Sequence, residues 1–147
     1  MPLEKELEGI EAYIELEKLR FGERLDLSLE IQGYIDDKTI APLIFMPLVE
    51  NAFKHGIARH DHEGWIKISL KVMLDGCKFV VSNSVLETTK TKDKHSQGIG
   101  LKNLRRRLQL QYADQYEMKI QAESDTYTVS LTLKNWEPRH VHTLSAG

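Results

Sequence analysis

Apolar residues at helical spacing predict an amino-terminal helix over residues 2–20. They stand four, three and four positions apart, so they share one face of a helix. This seam consists of Leu3, Leu7, Ile10 and Ile14. It ends after about two heptads, because Glu17 stands at its next position. The pattern fits an ordinary surface helix, and it equally fits one helix of a dimeric bundle.

Alternating and apolar stretches predict five strands and two more helices. Strict alternation marks the first strand, and a long apolar stretch holds the next helix, which begins at Pro42 or at Pro47. Asp75-Gly76 predicts a two-residue hairpin between the second and third strands. The predicted strands are residues 25–31, 65–74, 77–83, 116–122 and 126–134, and the helices lie within residues 40–57 and 98–112.

This order of elements predicts an α+β fold. Antiparallel hairpins stand beside helices, and the absence of strict strand–helix–strand alternation disfavours a Rossmann fold. We expect a two-layer sandwich in which helices cover one face of a mixed, mostly antiparallel sheet. A chain of 147 residues suits one compact domain with a short appendage. We place the domain at residues 23–136, after a helical segment 1–22 and before a tail 137–147.

Charge and cysteine content exclude several function classes. The 20 basic and 22 acidic side chains leave a net charge of −2, which gives no reason to expect a nucleic-acid partner. The single Cys77 excludes an internal disulfide framework and a cysteine zinc cluster. The chemistry must therefore be sought in local groups of polar residues.

A first polar group lies at the end of the helix within residues 40–57. Asn51, Lys54 and His55 share one face of that helix, beside a face that can be buried. An amide oxygen suits Mg²⁺, and a lysine ammonium suits phosphate. The group therefore predicts a site for a polyanion and its metal. The alternative is a solvated helix end capped by Gly56.

A second polar group lies where the helix 98–112 begins. Gly98 and Gly100 let backbone N–H groups approach an anion at a helix amino terminus, where the helix dipole favours negative charge. Seven basic residues and one acidic residue, Asp93, lie between positions 90 and 107, a local net charge of +6. The stretch predicts an anion-binding field, although its basic residues also fit a solvated helix face.

Together, the two groups resemble the sequence motifs of one protein family. Residues 48–56, LVENAFKHG, look like the N box of LytS-type sensor histidine kinases, and residues 98–108, GIGLKNLRRRL, look like their G2 box. Residues 13–21 resemble the end of the dimerisation region of these kinases. The resemblance implies the carboxyl-terminal catalytic domain of such a kinase, with the Bergerat ATP-binding fold.

The resemblance also implies a reaction and its participants. Kinases of this family transfer the γ-phosphoryl group of ATP to a histidine and then to a response regulator, with ATP and Mg²⁺ as cofactors. Segment 1–22 becomes the end of the dimerisation and phosphoacceptor region of a homodimeric parent. No histidine precedes His55, so the acceptor histidine is absent from this sequence. We expect a cytoplasmic domain in a longer parent that is anchored in the membrane.

By the same resemblance, the two motifs carry the nucleotide site. Asn51 ligates Mg²⁺, Lys54 meets the phosphates and His55 lies beside the nucleotide. Residues 84–97 form a lid over the nucleotide. The phosphate-facing end of this lid comprises Gly98, Gly100 and Leu101.

Two positions depart from the family pattern. The glycine-rich G1 box is absent, and Asn83 stands in for the aspartate that reads adenine, so its amide oxygen accepts a hydrogen bond without the help of a charge. Pro47 occupies the place of the catalytic glutamate of related ATPases, which leaves Glu50 as the candidate base or metal-adjacent residue. Two alternatives stay open: a catalytically degenerate nucleotide-binding regulatory module of the same fold, and a basic-helix interaction module that binds no nucleotide.

The placement of the histidines generates a first prediction, that this chain binds ATP without labelling itself stably. Phosphoryl transfer needs an acceptor in line with the γ-phosphate, and no histidine lies in the predicted amino-terminal helix. The six histidines are His55, His60, His62, His95, His140 and His142. Incubation with γ-labelled ATP and Mg²⁺, followed by an assay for acid-labile phosphohistidine, should give no stoichiometric label. Stoichiometric label would show that one of these six is the acceptor.

Overall fold

A computed structural model describes residues 1–57, 62–86 and 98–136, which form three α-helices, a short 3-10 turn and five strands. The helices are α1 (Leu3–Phe21), α2 (Met46–His55) and α3 (Ile99–Tyr112), and the 3-10 turn spans Gly22–Arg24. The strands are β1 (Leu25–Gln32), β2 (Gly64–Val72), β3 (Cys77–Ser84), β4 (Tyr116–Ala122) and β5 (Thr126–Leu133). None of these helices has the length and apolar content that crossing a membrane requires.

The five strands form one sheet in the order β1-β2-β3-β5-β4. β1 is parallel to β2 at one edge, and every other neighbouring pair is antiparallel. The connection from β1 to β2 contains α2, as a crossover between parallel neighbours requires. The predicted mixed, mostly antiparallel sheet is therefore confirmed.

The hydrophobic core lies on one face of this sheet. Along β2 and β3 every second side chain is buried, and the buried face is the one that the helices cover. β5 continues this face with Val129, Leu131 and Leu133. Burial on a single face produces the predicted two-layer sandwich and fixes the strand register, because a shift by one residue would expose the apolar row.

Helix α1 shares this core. Its predicted seam from Leu3 to Ile14 is buried, and Phe21 at its end stacks on Phe53 of α2 with ring centroids 6.0 Å apart. Arg20 and Arg24 lie over the Phe21 ring. The helix is therefore packed into the same unit as the sheet, while the division of the chain at residue 22 stays a prediction.

Helix α2 begins at Met46, which decides between the two prolines that the sequence offered. Pro47 lies in the first turn, where the missing N–H costs nothing. Pro42 precedes Leu43, whose left-handed backbone (φ 57°) ends any helical path before residue 46. Residues 40–45 are thus irregular backbone, although Ile40, Ile44 and Phe45 are fully buried.

The turn between β2 and β3 is shifted by one residue from the predicted position. Met73 donates its N–H to the Gly76 carbonyl over 2.8 Å, so the two central residues are Leu74 and Asp75. Gly76 is required there for space, since a Cβ at this position would overlap the carbonyl oxygen of Leu133. The sequence signal located the hairpin correctly but misassigned the role of its glycine.

This close approach generates a second prediction, tested by two glycine-to-alanine variants. Gly76→Ala should lower the free energy of unfolding by about 1–3 kcal/mol, because the backbone of β5 must shift. Gly9→Ala should raise it by about 0.5–1 kcal/mol, because a Cβ in this helical position meets only Met46 Cε at 3.8 Å. Denaturant titration followed by circular dichroism measures both. Equal stabilities would show that the Gly76 backbone relaxes freely.

Candidate functional site

Two polar side chains of α2 are turned into the protein. Asn51 and His55 stand one helical turn apart, and each is only 8% exposed. Leu48 and Ala52 hold the same helix against the sheet, so the two polar groups are carried inward with the apolar face. Lys54 is exposed, beside the end of the helix. The predicted group is thus divided into a buried amide and imidazole and an exposed ammonium.

The buried face of β3 ends in a polar residue. Cys77, Phe79 and Val81 are buried in turn, and the next residue with this orientation is Asn83, which is 0% exposed. A Cβ at Gly56, just after α2, would lie 3.1 Å from the Asn83 Nδ2 atom. The end of α2 therefore meets the end of the apolar row, and a side chain at position 56 would crowd Asn83.

Tyr127 completes this arrangement, and the sequence analysis did not identify it. It is paired in register with Asn83 across β3 and β5, so the two side chains lie on the same face of the sheet. Its ring stacks on the His55 imidazole, with centroids 4.7 Å apart and planes 8° apart. The alternation of Tyr127 with Val129 and Leu131 is visible in the sequence, but its meaning depends on the pairing of β5 with β3.

Asn51, His55, Asn83 and Tyr127 form what we call the polar cluster. Burial raises the pKa of the Tyr127 phenol, while a hydrogen-bonding contact with the Asn51 side-chain amide and the charge of Arg105 on α3 lower it. Arg105 is thus close enough to act on the cluster electrostatically, and α3 packs against α2. The cluster therefore draws on α2, β3 and β5, with a cation from α3 nearby.

The polar cluster contains buried atoms that lack hydrogen-bond partners. Asn51 Nδ2, Asn83 Oδ1 and the Tyr127 hydroxyl have no partner of good geometry in the protein, and they are three of the four such side-chain atoms in the described residues. Asn83 Nδ2, in contrast, donates to the Ser84 carbonyl over 3.0 Å. Each unpaired buried group costs about 1–3 kcal/mol. Such a concentration is typical of a site that the polar atoms of a ligand complete.

The amino terminus of α3 is open. Gly98 precedes the helix and Gly100 lies in its first turn, and both are exposed. A Cβ at Gly100 would meet no atom of the described residues within 4 Å, so none of them requires glycine there for space. Leu101 differs, because its side chain is buried in the core and its N–H donates to the Gly98 carbonyl over 3.1 Å. The helix terminus has space for a ligand beside the glycines.

Glu50 lies apart from the polar cluster. It is exposed on the side of α2 that faces α1. Burial, then the negative charges of Glu17 and Glu50, raise the pKa of the Tyr13 phenol to about 12. The structure brings together Asn51, His55 and Asn83, and it does not bring Glu50 to them; a catalytic role for Glu50 stays a prediction.

Part of the predicted lid lies outside the described residues. β3 ends at Ser84, and residues 85–86 follow it. The Val85 N–H donates to the Asp125 carbonyl over 2.9 Å. Residues 87–97 of the lid, and the tail 137–147, are not among the described ranges. Both assignments stay predictions.

Curated relatives of this chain include sensor histidine kinases. BtsS of Escherichia coli strain K12, a sensor histidine kinase, is 29% identical over 131 residues, which are 86% of this chain and 22% of that protein. The sensor histidine kinase YpdA of the same strain is 30% identical over 76% of this chain and 21% of its own length. The sensor protein LytS of Oceanobacillus iheyensis is 36% identical over 70 residues, 48% of this chain and 12% of that protein. The chain spans at most about a fifth of the length of these relatives, and no protein-family model matches it.

Solved structures identify the fold. The catalytic domain of the histidine kinase ThkA matches with a TM-score of 0.62 at 15% identity, over 92% of this chain and 93% of that one. The mycobacterial sensor histidine kinase MprB matches with a TM-score of 0.59 at 11% identity, over 90% and 95%. ThkA in complex with the response regulator protein TrrA matches with a TM-score of 0.63 at 17% identity, over 95% of this chain and 41% of that one. The predicted fold class is confirmed.

The unpaired hydroxyl generates a third prediction, with two tyrosines as a matched pair. Tyr127→Phe should leave the free energy of unfolding unchanged or raise it by about 1 kcal/mol, because the contact of its hydroxyl with the Asn51 amide lacks good hydrogen-bond geometry. Tyr112→Phe should lower it by about 1–3 kcal/mol, because the Tyr112 hydroxyl accepts the buried Ala41 N–H over 3.0 Å. Thermal or denaturant unfolding measures both. A large loss in Tyr127→Phe would show that its hydroxyl is satisfied within the protein.

Proposed function

Because the chain is related to the LytS-type sensor histidine kinases and has the fold of histidine kinase catalytic domains, we propose that it is the ATP-binding catalytic domain of such a kinase. It transfers the γ-phosphoryl group of ATP to a histidine outside this sequence. The observation that carries the proposal is the polar cluster, in which Asn51 Nδ2, Asn83 Oδ1 and the Tyr127 hydroxyl are buried without a well-formed hydrogen bond.

Asn83 fits the role of reading the base. Its Oδ1 is fully buried and unpaired, and a buried acceptor without a partner selects a ligand that brings a donor. The exocyclic amino group of adenine is such a donor. The hydrogen bond is neutral here, since an amide replaces the carboxylate of the family pattern. Gly56 leaves room for Asn83 because a side chain at position 56 would press on it.

Asn51 fits the role of holding Mg²⁺ against the phosphates. A half-turn of its amide exchanges Oδ1 and Nδ2, so the unpaired position also accommodates an oxygen ligand. A single protein oxygen with several waters and phosphate oxygens is the environment that Mg²⁺ prefers. Bound Mg²⁺ neutralises charge that develops on the phosphates. Asn51 is only 8% exposed, so little water reaches it from the protein side.

The open end of α3 and its basic side chains fit the phosphates. The first N–H groups of a helix lack intrahelical partners and attract anions, and Gly98 and Gly100 leave the approach clear. Lys102 and Arg105 are exposed on this helix, and Lys54 is exposed at the end of α2. These cations position the phosphates and offset their charge, which is the protein's main contribution to phosphoryl transfer.

A second candidate is a nucleotide-binding regulatory module of the same fold that has lost catalysis. The position of Glu50, on the α1 side and away from the polar cluster, favours it because no other carboxylate was predicted as the base. Supplying a separate dimerisation and phosphoacceptor segment decides between the two. Phosphorylation of its histidine in the presence of Mg–ATP supports the kinase, and binding of ATP without transfer supports the regulatory module.

The partners of the parent protein belong to the same proposal. We expect a response regulator to receive the phosphoryl group, and the structure of ThkA with TrrA supports this expectation by likeness of fold. We also propose that the full-length parent forms a homodimer through its dimerisation and phosphoacceptor region. We likewise propose that the full-length parent is anchored in the membrane.

The role of Asn51 generates a fourth prediction. Asn51→Ala should weaken binding of a non-hydrolysable ATP analogue by about tenfold or more when Mg²⁺ is present, a change of about 1.4 kcal/mol. Without Mg²⁺ the two proteins should bind more nearly alike, because the ligand that was removed serves the metal.

Isothermal titration calorimetry with and without Mg²⁺ measures this difference. Gln121→Ala, at an exposed position of the edge strand β4, is the matched control and should bind like the unaltered chain. Equal affinities of Asn51→Ala and the control in the presence of Mg²⁺ would remove Asn51 from the metal site.

A further inference from the structure

The loop between β1 and α2, residues 33–45, is held by side chains from both other helices. We call it the β1–α2 loop. Its last residues are buried although they form no regular structure, and α2 with Asn51 and His55 follows directly. Irregular buried backbone needs partners for its N–H and carbonyl groups. The residues that supply these hydrogen-bond partners therefore also fix the position of α2.

Glu6 of α1 supplies the partners at the end of the loop that leads into α2. Its carboxylate is 3% exposed and accepts the N–H groups of Leu43 (3.0 Å), Phe45 (3.0 Å) and Met46 (3.4 Å). Phe45 is the N-cap residue of α2, and Met46 is its first helical residue. The Glu6 carboxylate therefore caps α2 from a different helix. Its negative charge at a helix amino terminus is favoured by the helix dipole.

The carboxylate also holds a strained residue. Leu43 has a left-handed backbone (φ 57°), which is unfavourable for a residue with a branched side chain, and its side chain is 56% exposed. Burial of the side chain therefore does not explain the conformation, whereas the hydrogen bond to Glu6 Oε1 does. The strain persists because Glu6 fixes the N–H groups on both sides of Ile44.

Helix α3 holds the same loop from the opposite direction. The Tyr112 hydroxyl accepts the Ala41 N–H over 3.0 Å, and Arg107 donates to the Pro42 carbonyl. The amino terminus of α3, with Gly98 and Gly100, lies at the other end of this helix. One loop thus connects α1 to both helices that carry the proposed site.

We propose that Glu6 is a positioning residue for the nucleotide site: it fixes where α2 begins, so that a displacement of α1 changes the placement of Asn51 and His55 and with it the affinity for nucleotide. The proposal rests on the proposed nucleotide binding. The coupling is mechanical, because the Glu6 carboxylate ties three backbone N–H groups at the start of α2 to α1. The exposed carboxylates of α1 have no such contact with the loop among the described residues.

Glu6→Gln tests this role with little change of shape. An amide replaces one of the two acceptor oxygens with an NH₂ donor, which must face backbone N–H groups that are donors themselves. The control Ile10→Val removes one buried methyl group from the same helix and lowers stability without removing a hydrogen-bond acceptor of the loop. A second control, Glu4→Gln, makes the same chemical change at an exposed position.

Two readouts separate positioning from general loss of stability. Calorimetry with the Mg²⁺ complex of a non-hydrolysable ATP analogue, well below the unfolding temperature of each variant, should show about fivefold or greater weakening in Glu6→Gln. Both controls should stay within about twofold, which is less than the smallest usual coupling. In the nucleotide-free protein, the NMR signals of the Asn51 side-chain amide should shift in Glu6→Gln and not in Ile10→Val.

Affinity of Glu6→Gln within twofold of the unaltered chain, or an equal loss in Ile10→Val, would overturn the proposal. If Glu6→Gln does not fold, Tyr112→Phe releases the same loop from α3 and is judged by the same two readouts. If the unaltered chain binds no analogue, the proposed function fails, and the NMR comparison still decides the role of Glu6. An unshifted Asn51 amide would then refute it.

Discussion

One feature of the core constrains the rest of the structure: the row of buried apolar side chains on β3 ends in a buried polar residue whose acceptor has no hydrogen-bond partner. Along β3 the buried face runs from Cys77 to Val81 and then reaches Asn83, which is fully buried with an unpaired Oδ1. Tyr127 beside it on β5 and Asn51 above it on α2 repeat the pattern. A fold that only maximised its stability would fill these places with apolar groups, because unpaired buried polar atoms are destabilising. In the proposed function, a bound nucleotide would give them partners, and the large core beneath offsets their cost in its absence.

The positions of α2 and α3 beside these polar residues are fixed by contacts at the ends of the helices. α2 brings Asn51 and His55 inward, and the place where α2 starts is fixed by Glu6 of α1. α3 points its open amino terminus towards solvent while Tyr112, near its carboxyl terminus, holds the loop before α2. The part proposed to read the base is therefore built on strands, and the part proposed to face the phosphates is built on helices that share one loop. Under these proposals, a displacement of α1 would act on the phosphate side without disturbing the sheet.

Much of the fold can be predicted from local patterns in the sequence. The site cannot, because it depends on strand register and on contacts between residues that are distant in sequence. Strict alternation located β1 and the four-three-four seam located α1, because burial of one face imposes these periods, while the Asp75-Gly76 signal located the hairpin of β2 and β3. The start of α2 was ambiguous between two prolines, since the left-handed backbone at Leu43 depends on a carboxylate 37 positions away. Tyr127 was missed for a similar reason: only the register of β5 against β3 places it opposite Asn83 and under His55. Glu50 was chosen from its neighbour in sequence, and helix geometry turns it towards α1.

NMR titration of the two buried amides tests the central claim most directly, that the unpaired atoms of Asn51 and Asn83 are the contacts of a nucleotide and its metal. Side-chain amide signals report each residue separately while a non-hydrolysable ATP analogue is added, first without Mg²⁺ and then with it. The account predicts that the Asn83 signals shift with the analogue alone and that the Asn51 signals shift further only when Mg²⁺ is added. Saturable binding that leaves both amides unchanged, or no binding at all, would contradict it.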